Sequence, residues 1–220
     1  MKNLKLSKKI ELVDRGLGAE IFSAIVNGIG ALLALTALIL VIVFAANKTG
    51  AGIVVCSVFY GVALFITYLF SCLYHSLAYN DGKRVFRLLT ITAVDYLFTA
   101  CIMIFAFRLL RDKLFLFLGI SLGITMLSTL FNAIDFEKFK YVRIVGFLVQ
   151  TVLACIVAYL SLAFLPHIAF IFLLVAFLLF MAGFAFHIAG YQLSYLNSIG
   201  HIAIATANAF LFFVIILYVI

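Results

Sequence analysis

Charge is scarce in this sequence, and the scarcity excludes an ordinary water-soluble domain. Charged residues make up 10% of the 220 positions, against 68% hydrophobic. A soluble domain is about half apolar and about a quarter charged, because water has to wet its surface. The excess apolar surface here has to face lipid, in keeping with a mean hydropathy of +1.33. Cysteine is sparse and scattered: Cys56, Cys72, Cys101 and Cys155 each stand alone in an apolar run, with no C-x-x-C pair. That pattern argues against a zinc ribbon or a disulfide framework and for buried small hydrophobes. No internal repeat and no low-complexity tract interrupts the chain. No glycine-rich phosphate loop follows a strand, so Gly28-Ile-Gly30 is a packing surface at best. A voltage sensor or ion relay would need a ladder of charged residues, and a transporter would show polar span interiors or inverted halves. No such ladder and no inverted halves are present, and polar residues inside the spans are few.

What is present is a succession of apolar segments of bilayer length. A membrane-spanning helix needs about 20 mainly apolar residues. On that measure spans fall at about 21–46, 52–78, 88–107, 114–134, 142–163, 168–190 and 198–220. The breaks are Asn47-Lys48-Thr49-Gly50, Asn80-Asp81-Gly82-Lys83-Arg84, the stretch from Arg108 to Lys113, the stretch from Asp135 to Lys140, and Pro166-His167. The fold expected is all-α, a polytopic bundle of seven transmembrane helices over residues 21–220. Residues 1–20 set Lys2, Lys5, Lys8, Lys9 and Arg15 against Leu4, Leu6, Ile10 and Leu12. This reads as a basic amphipathic segment, helical at the membrane interface, and not as a signal peptide.

Lys and Arg set the orientation. With the N-terminus inside, cytoplasmic segments hold eleven of the 15: five in the tail, three at Lys83, Arg84 and Arg87, three at Lys138, Lys140 and Arg143. Outer segments hold the other four, Lys48, Arg108, Arg111 and Lys113. The expectation is a cytoplasmic N-terminus, an outer C-terminus and residence in the cell membrane. The net charge of +7 lies between spans as a topology signal, so the partners expected are membrane lipids and not nucleic acid.

Strongly polar side chains inside hydrocarbon are costly and usually face the bundle interior. Ser71 and His75, four residues apart, share one face at the end of span two. Asp95 lies about two turns into span three, after Thr90 and Thr92. Glu20 opens span one, His187 closes span six, and Asn197 and His201 open span seven. All fall toward the expected cytoplasmic side; His167 sits on the other. Imidazoles and carboxylates suit a tetrahedral zinc site with one open position, which could polarise an ester or amide carbonyl. The plainer reading of Asp95 is a carboxylate hydrogen-bonded to a neighbouring helix, and that of Glu20 and His187 is residues satisfying helix ends. Gln150, Asn132, Asn27 and Asn208 read as interhelical hydrogen bonders.

The run Glu20-Ile-Phe-Ser-Ala-Ile-Val-Asn-Gly-Ile-Gly30, with Tyr60-Gly61 and Ser71-Cys-Leu-Tyr-His75-Ser76, resembles the bacterial hemolysin III proteins of the progestin and adiponectin receptor superfamily. The resemblance covers nearly the whole chain, and Ser71-x-x-x-His75 is its most specific element. It implies a seven-helix bundle with zinc near the cytoplasmic side, held by three histidines and assisted by an aspartate opening span three. It also implies ceramidase-like hydrolysis for some members and hemolytic or receptor roles for others. This chain departs from the pattern. Thr90 stands where the family has its aspartate, with Asp95 five residues on, which turns the side chain about 140° away around the helix. Asn197 replaces the first histidine of His-x-x-x-His, Leu211 a later one, and Ser23 and Val26-Asn27 stand in the first span.

The candidate metal ligands are therefore His75, His201 and Asp95, with Asp95 ranked above His187 for the third place. Ser71 and Asp95 are the candidate catalytic residues. Two functions stand open. One is a zinc-dependent hydrolase of a lipid amide or ester. The other is a non-enzymatic protein of the same fold, serving lipid sensing, membrane homeostasis or cytolysis, with a degenerate, metal-free site.

Overall fold

The computed structural model describes residues 10–13, 15–48, 50–190 and 192–220. Among them, seven helices are long and apolar enough to cross a membrane. They are α1 (Leu17–Lys48), α2 (Ala51–Ser76), α3 (Asp81–Leu109), α4 (Leu114–Ile134), α5 (Lys140–Ser161), α6 (His167–Ala189) and α7 (Ser194–Val214). Single 3-10 turns at Arg111–Lys113 and Leu162–Phe164 lead into α4 and out of α5, and a π-helical turn, Ile215–Val219, extends α7. Helices dominate for a physical reason: in lipid every backbone polar group has to be satisfied within its own segment.

Packing follows chain order and then closes. α1 lies on α2, α2 on α3, α3 on both α4 and α5, and α6 on α7, while α7 returns to α1. α1 and α2 approach closely because Gly61 carries no side chain; a Cβ there would stand 2.8 Å from the Leu38 Cα. Small residues at such contacts are how membrane helices gain van der Waals contact without a hydrophobic drive between them. Buried residues such as Val41, Tyr60, Ile102, Ile104 and Val214 form the interior. Leu32 at 69%, Phe115 at 86% and Tyr159 at 74% exposure lie on the outer surface, where a bilayer would cover them.

Three sequence expectations change. α3 begins at Asp81, seven residues ahead of the expected span. The stretch Asn80-Asp81-Gly82 resembles a turn but works as a helix start: the Asn80 side chain accepts from the Lys83 backbone N–H at 3.0 Å, and Asp81 bonds Arg84 at 2.7 Å. A carboxylate in a first turn is favoured by the helix dipole. Most of the expected basic segment, residues 1–9 and Asp14, lies outside the described residues. The part that is described runs without helix up to Leu17, with Ile10 and Leu12 buried. Arg84 Nε donates to the Ile10 carbonyl at 3.1 Å and the Tyr79 hydroxyl to the Leu12 carbonyl at 2.9 Å. The segment is thus strapped across the turn between α2 and α3. Finally, of the cysteines only Cys56 is fully buried; Cys155 is exposed on α5.

Candidate functional site

Five helix ends meet at the end of the bundle where α1 begins, and each contributes polar groups. Glu20 comes from the first turn of α1, His75 from the last turn of α2 and Lys83 from the first turn of α3. His187 closes α6, and Asn197, Ser198 and His201 open α7. Ser23 Oγ lies 2.9 Å from Ser198 Oγ, which also donates to the Ala19 carbonyl at 3.2 Å, so α1 and α7 are tied at this level.

The centre is a pair of imidazoles. His75 Nε2 and His201 Nε2 face each other at 3.0 Å, with the rings edge-on. On its far side His75 Nδ1 lies 2.8 Å from Glu20 Oε2, and the same oxygen takes Lys83 Nζ at 3.1 Å. A carboxylate can only accept, so neutral His75 donates from Nδ1 and presents an unprotonated Nε2 to its partner. His201 Nε2 then carries the shared proton. Oxygen partners on the outer nitrogen are the usual way in which a functional histidine is oriented.

His187 completes the cluster. Its ring stands 4.6 Å from that of His201, and its Nδ1 lies 2.9 Å from Asn197 Oδ1. α6 can come this close because glycines face each other. A Cβ on Gly200 would sit 2.9 Å from the Gly183 carbonyl oxygen and 3.3 Å from the His187 ring. Ser71, one turn before His75, is buried at 4% exposure.

Asp95 belongs to a different assembly. Ser128 Oγ on α4 donates to Asp95 Oδ2 at 2.7 Å, and Asn132 Nδ2 reaches Ser128 Oγ at 3.3 Å. Arg143 on α5 donates to Asn132 Oδ1 at 3.1 Å. One turn along, Thr99, Ser121 and Thr125 meet Gln150, whose amide donates to Thr125 Oγ1 at 2.7 Å and accepts from Ser121 at 2.9 Å. The result is a buried polar seam joining α3, α4 and α5. Its signal in the sequence is the spacing of Ser121, Thr125, Ser128 and Asn132, which puts four polar groups on one helix face.

The structure thus brings His75 and His201 together, adds His187, and leaves Asp95 with α4. Glu20 is drawn into the centre as the partner of His75. Lys83 and Arg15 were legible only as topology charges, yet Lys83 is buried at 4% exposure against Glu20. Arg15 Nη1 reaches the Tyr74 hydroxyl at 3.4 Å. Thr90 has a buried hydroxyl with no hydrogen-bond partner among the described residues.

Zinc takes at least three protein ligands, and this donor set supplies two that converge. Two nitrogens of one tetrahedral zinc lie about 3.3 Å apart, given bonds of about 2.0 Å, so the His75–His201 pair alone is close to such a geometry. Asp95 is held by Ser128, while His187, with Asn197 on its Nδ1 and its ring 4.6 Å from that of His201, is the nearer candidate for a third ligand. Among the described residues no group of three or more His, Cys, Asp or Glu side chains is arranged to hold a metal ion. The cluster as it stands is a hydrogen-bonded network and not a complete zinc centre.

Comparison with known proteins gives the wider setting. The chain is 28% identical to Hemolysin-3 of Bacillus cereus, over 97% of this chain and 98% of that protein. It is 27% identical to the Hemolysin-3 homolog of Bacillus subtilis (strain 168), over 90% of this chain and 93% of the relative. No family model and no solved structure matches it. End-to-end similarity to two such relatives, on a bundle of seven apolar helices, makes this a multi-pass membrane protein similar to the hemolysin III proteins.

Proposed function

We propose that this protein is a non-enzymatic, lipid-responsive component of the cell membrane. In this reading residues 21–220 form one transmembrane unit, with residues 1–20 and the histidine cluster on the cytoplasmic side. The observation that supports it is the separation of Asp95 from the His75–His201 pair: its carboxylate is engaged by Ser128, away from the imidazoles. What remains is a charge-linked cluster at the ends of five helices, at the depth of lipid headgroups, where polar and cationic side chains meet lipid most readily. The test is metal analysis of protein purified without chelators, together with assays on lipid amides and esters. Zinc well below one per chain and no chelator-sensitive hydrolysis are expected. Stoichiometric zinc with hydrolysis that chelation stops would overturn the reading.

One observation favours a second reading, a zinc-dependent hydrolase of a lipid amide or ester. The 3.0 Å approach of His75 Nε2 to His201 Nε2, with Glu20 behind His75, is how two metal-binding imidazoles would be prepared. It requires a third ligand to join the pair.

A further inference from the structure

The segment ahead of α1 lies beside the polar cluster as a strap. Its described residues, 10–13 with Arg15 and Gly16, form no helix. Two apolar pins hold it, since Ile10 and Leu12 are both buried. Side chains of other elements then grip its backbone. Arg84 Nε donates to the Ile10 carbonyl at 3.1 Å, and the Tyr79 hydroxyl donates to the Leu12 carbonyl at 2.9 Å. Glu137, between α4 and α5, accepts the Glu11 N–H at 3.1 Å. Such bonds trade against water and are of modest net worth, and Tyr79 is itself 61% exposed. The strap is pinned but not locked.

From the strap, contacts lead to the imidazole pair. Arg15 Nη1 donates to the Tyr74 hydroxyl at 3.4 Å. The Tyr74 ring stands edge-on to His75 at 4.8 Å and lies under Lys83 Nζ at 5.0 Å. Tyr74, His75 and Lys83 are 7%, 5% and 4% exposed, although all three stand at helix ends, where a lysine is ordinarily wet. The junction with α1 is built to move. The Ala19 and Glu20 N–H groups both bond the Gly16 carbonyl, at 3.0 and 3.2 Å, so Gly16 caps the helix and Gly18 lies in its first turn. A Cβ on Gly18 would meet nothing within 4 Å, and its φ is not positive. Neither packing nor backbone geometry asks for glycine there. What glycine does supply in a helix is a turn that unwinds easily.

We propose that the strap is a lid over the histidine cluster, swinging about Gly16 and Gly18 to open His75 to water. Closed, it holds Tyr74 against His75 through Arg15. Opening breaks the bonds from Arg84 and Tyr79 to the strap carbonyls, draws out Ile10 and Leu12, and releases Tyr74. The freed carbonyls and the Glu11 N–H pass to water, so little hydrogen bonding is lost, and the motion is a local opening that leaves the bundle folded. The lid governs access to the cluster and goes beyond the reading of what the cluster does.

The test measures solvent access in the full chain, held in a neutral detergent. Diethyl pyrocarbonate modifies imidazole nitrogens, and peptide mass spectrometry reads His75 against His167, which is exposed at the opposite end. Hydrogen exchange of residues 11–13, 15 and 16 reports the strap itself. Tyr79→Phe removes one grip and should speed His75 modification about threefold, the worth of one ordinary hydrogen bond. Adding Arg84→Gln should bring the rise to about tenfold. Gly18→Ala acts in the opposite sense: a stiffer first turn should slow His75 modification about threefold. His167 should react alike in every variant. Tyr79→Phe and Gly18→Ala leave the Arg84–Asp81 bond at the α3 start intact, so they decide even where Arg84→Gln weakens the fold. Faster exchange in the strap with His75 reacting at the parent rate would overturn the lid. Gly18→Ala reacting at the parent rate or faster would overturn the hinge.

Discussion

Glu20 and His75, 55 positions apart in sequence, meet at 2.8 Å between the first turn of α1 and the last turn of α2. Lys83 shares the same carboxylate oxygen at 3.1 Å, and all three side chains are largely buried. Removing one member of a buried, charge-linked group leaves the others uncompensated. Glu20→Ala is therefore expected to cost about 3 kcal/mol of bundle stability. Unfolding measured in mixed micelles checks it, and an effect below about 1 kcal/mol, the range of exposed pairs, would show that water already satisfies Lys83.

Metal retention should respond to Asn197 and not to Asp95. Asn197→His restores His-x-x-x-His on α7, with its new imidazole one turn from His201. Zinc content should rise from a small fraction toward one per chain, read by metal analysis after dialysis. Asp95→Ala should leave zinc content where it is in either background, the reverse of what its depth in span three suggested. A sharp loss of zinc on Asp95→Ala would return Asp95 to the ligand set.

The polar seam of α3, α4 and α5 makes a structural prediction. Gln150 makes three close hydrogen bonds through its side-chain amide, to Thr125 Oγ1, to the Ser121 carbonyl and from Ser121 Oγ. Such bonds in membranes are worth about 0.6 kcal/mol each. Gln150→Leu should then destabilise the protein by about 2 kcal/mol without altering lipid or metal binding at the histidine cluster. A change in either binding with stability intact would mean that the two assemblies are coupled.

Gly200→Ala tests how His187 is held. The added methyl would press on the Gly183 carbonyl, backbone that cannot rotate away, at 2.9 Å. Overpacking of this kind costs about 1–3 kcal/mol. The variant should melt earlier and show a changed environment for the His187 ring by nuclear magnetic resonance, while Gly119→Ala, where a methyl meets open space, should melt like the parent.

Orientation is checked by reporter fusions. Lys83 and Lys138 are expected in the cytoplasm, Arg111 and Ile220 outside. A cytoplasmic reporter signal at Ile220 would contradict the cytoplasmic N-terminus and with it the proposed side of the histidine cluster.

The spans were legible because hydrocarbon imposes a length, and about 20 apolar residues leave few ways to be misread. The start of α3 was not, because Asn80-Asp81-Gly82 reads equally as a turn and as a capped first turn; the difference lies in where the Asn80 side chain points. Depth alone put His75, His201, His187 and Asn197 at one end, since each sits at a helix terminus. Depth could not say which way Asp95 faces. The rotation of about 140° from the Thr90 position needs a neighbour to give it meaning, and that neighbour is Ser128. Arg15 and Lys83 were hidden for another reason: a flanking Lys or Arg serves topology and chemistry with the same charge, and only burial separates the two.

The contact between Ser23 and Ser198 joins the first helix to the last, and this fixes an order of events during synthesis. A nascent chain that has inserted α1 to α3 already contains Glu20, His75 and Lys83 and can neutralise its own buried acid. It lacks His201 and Asn197 until α7 has left the ribosome. The imidazole pair is thus the final part of the cluster to form, and a chain arrested before α7 would hold Glu20, His75 and Lys83 without the second imidazole of the pair.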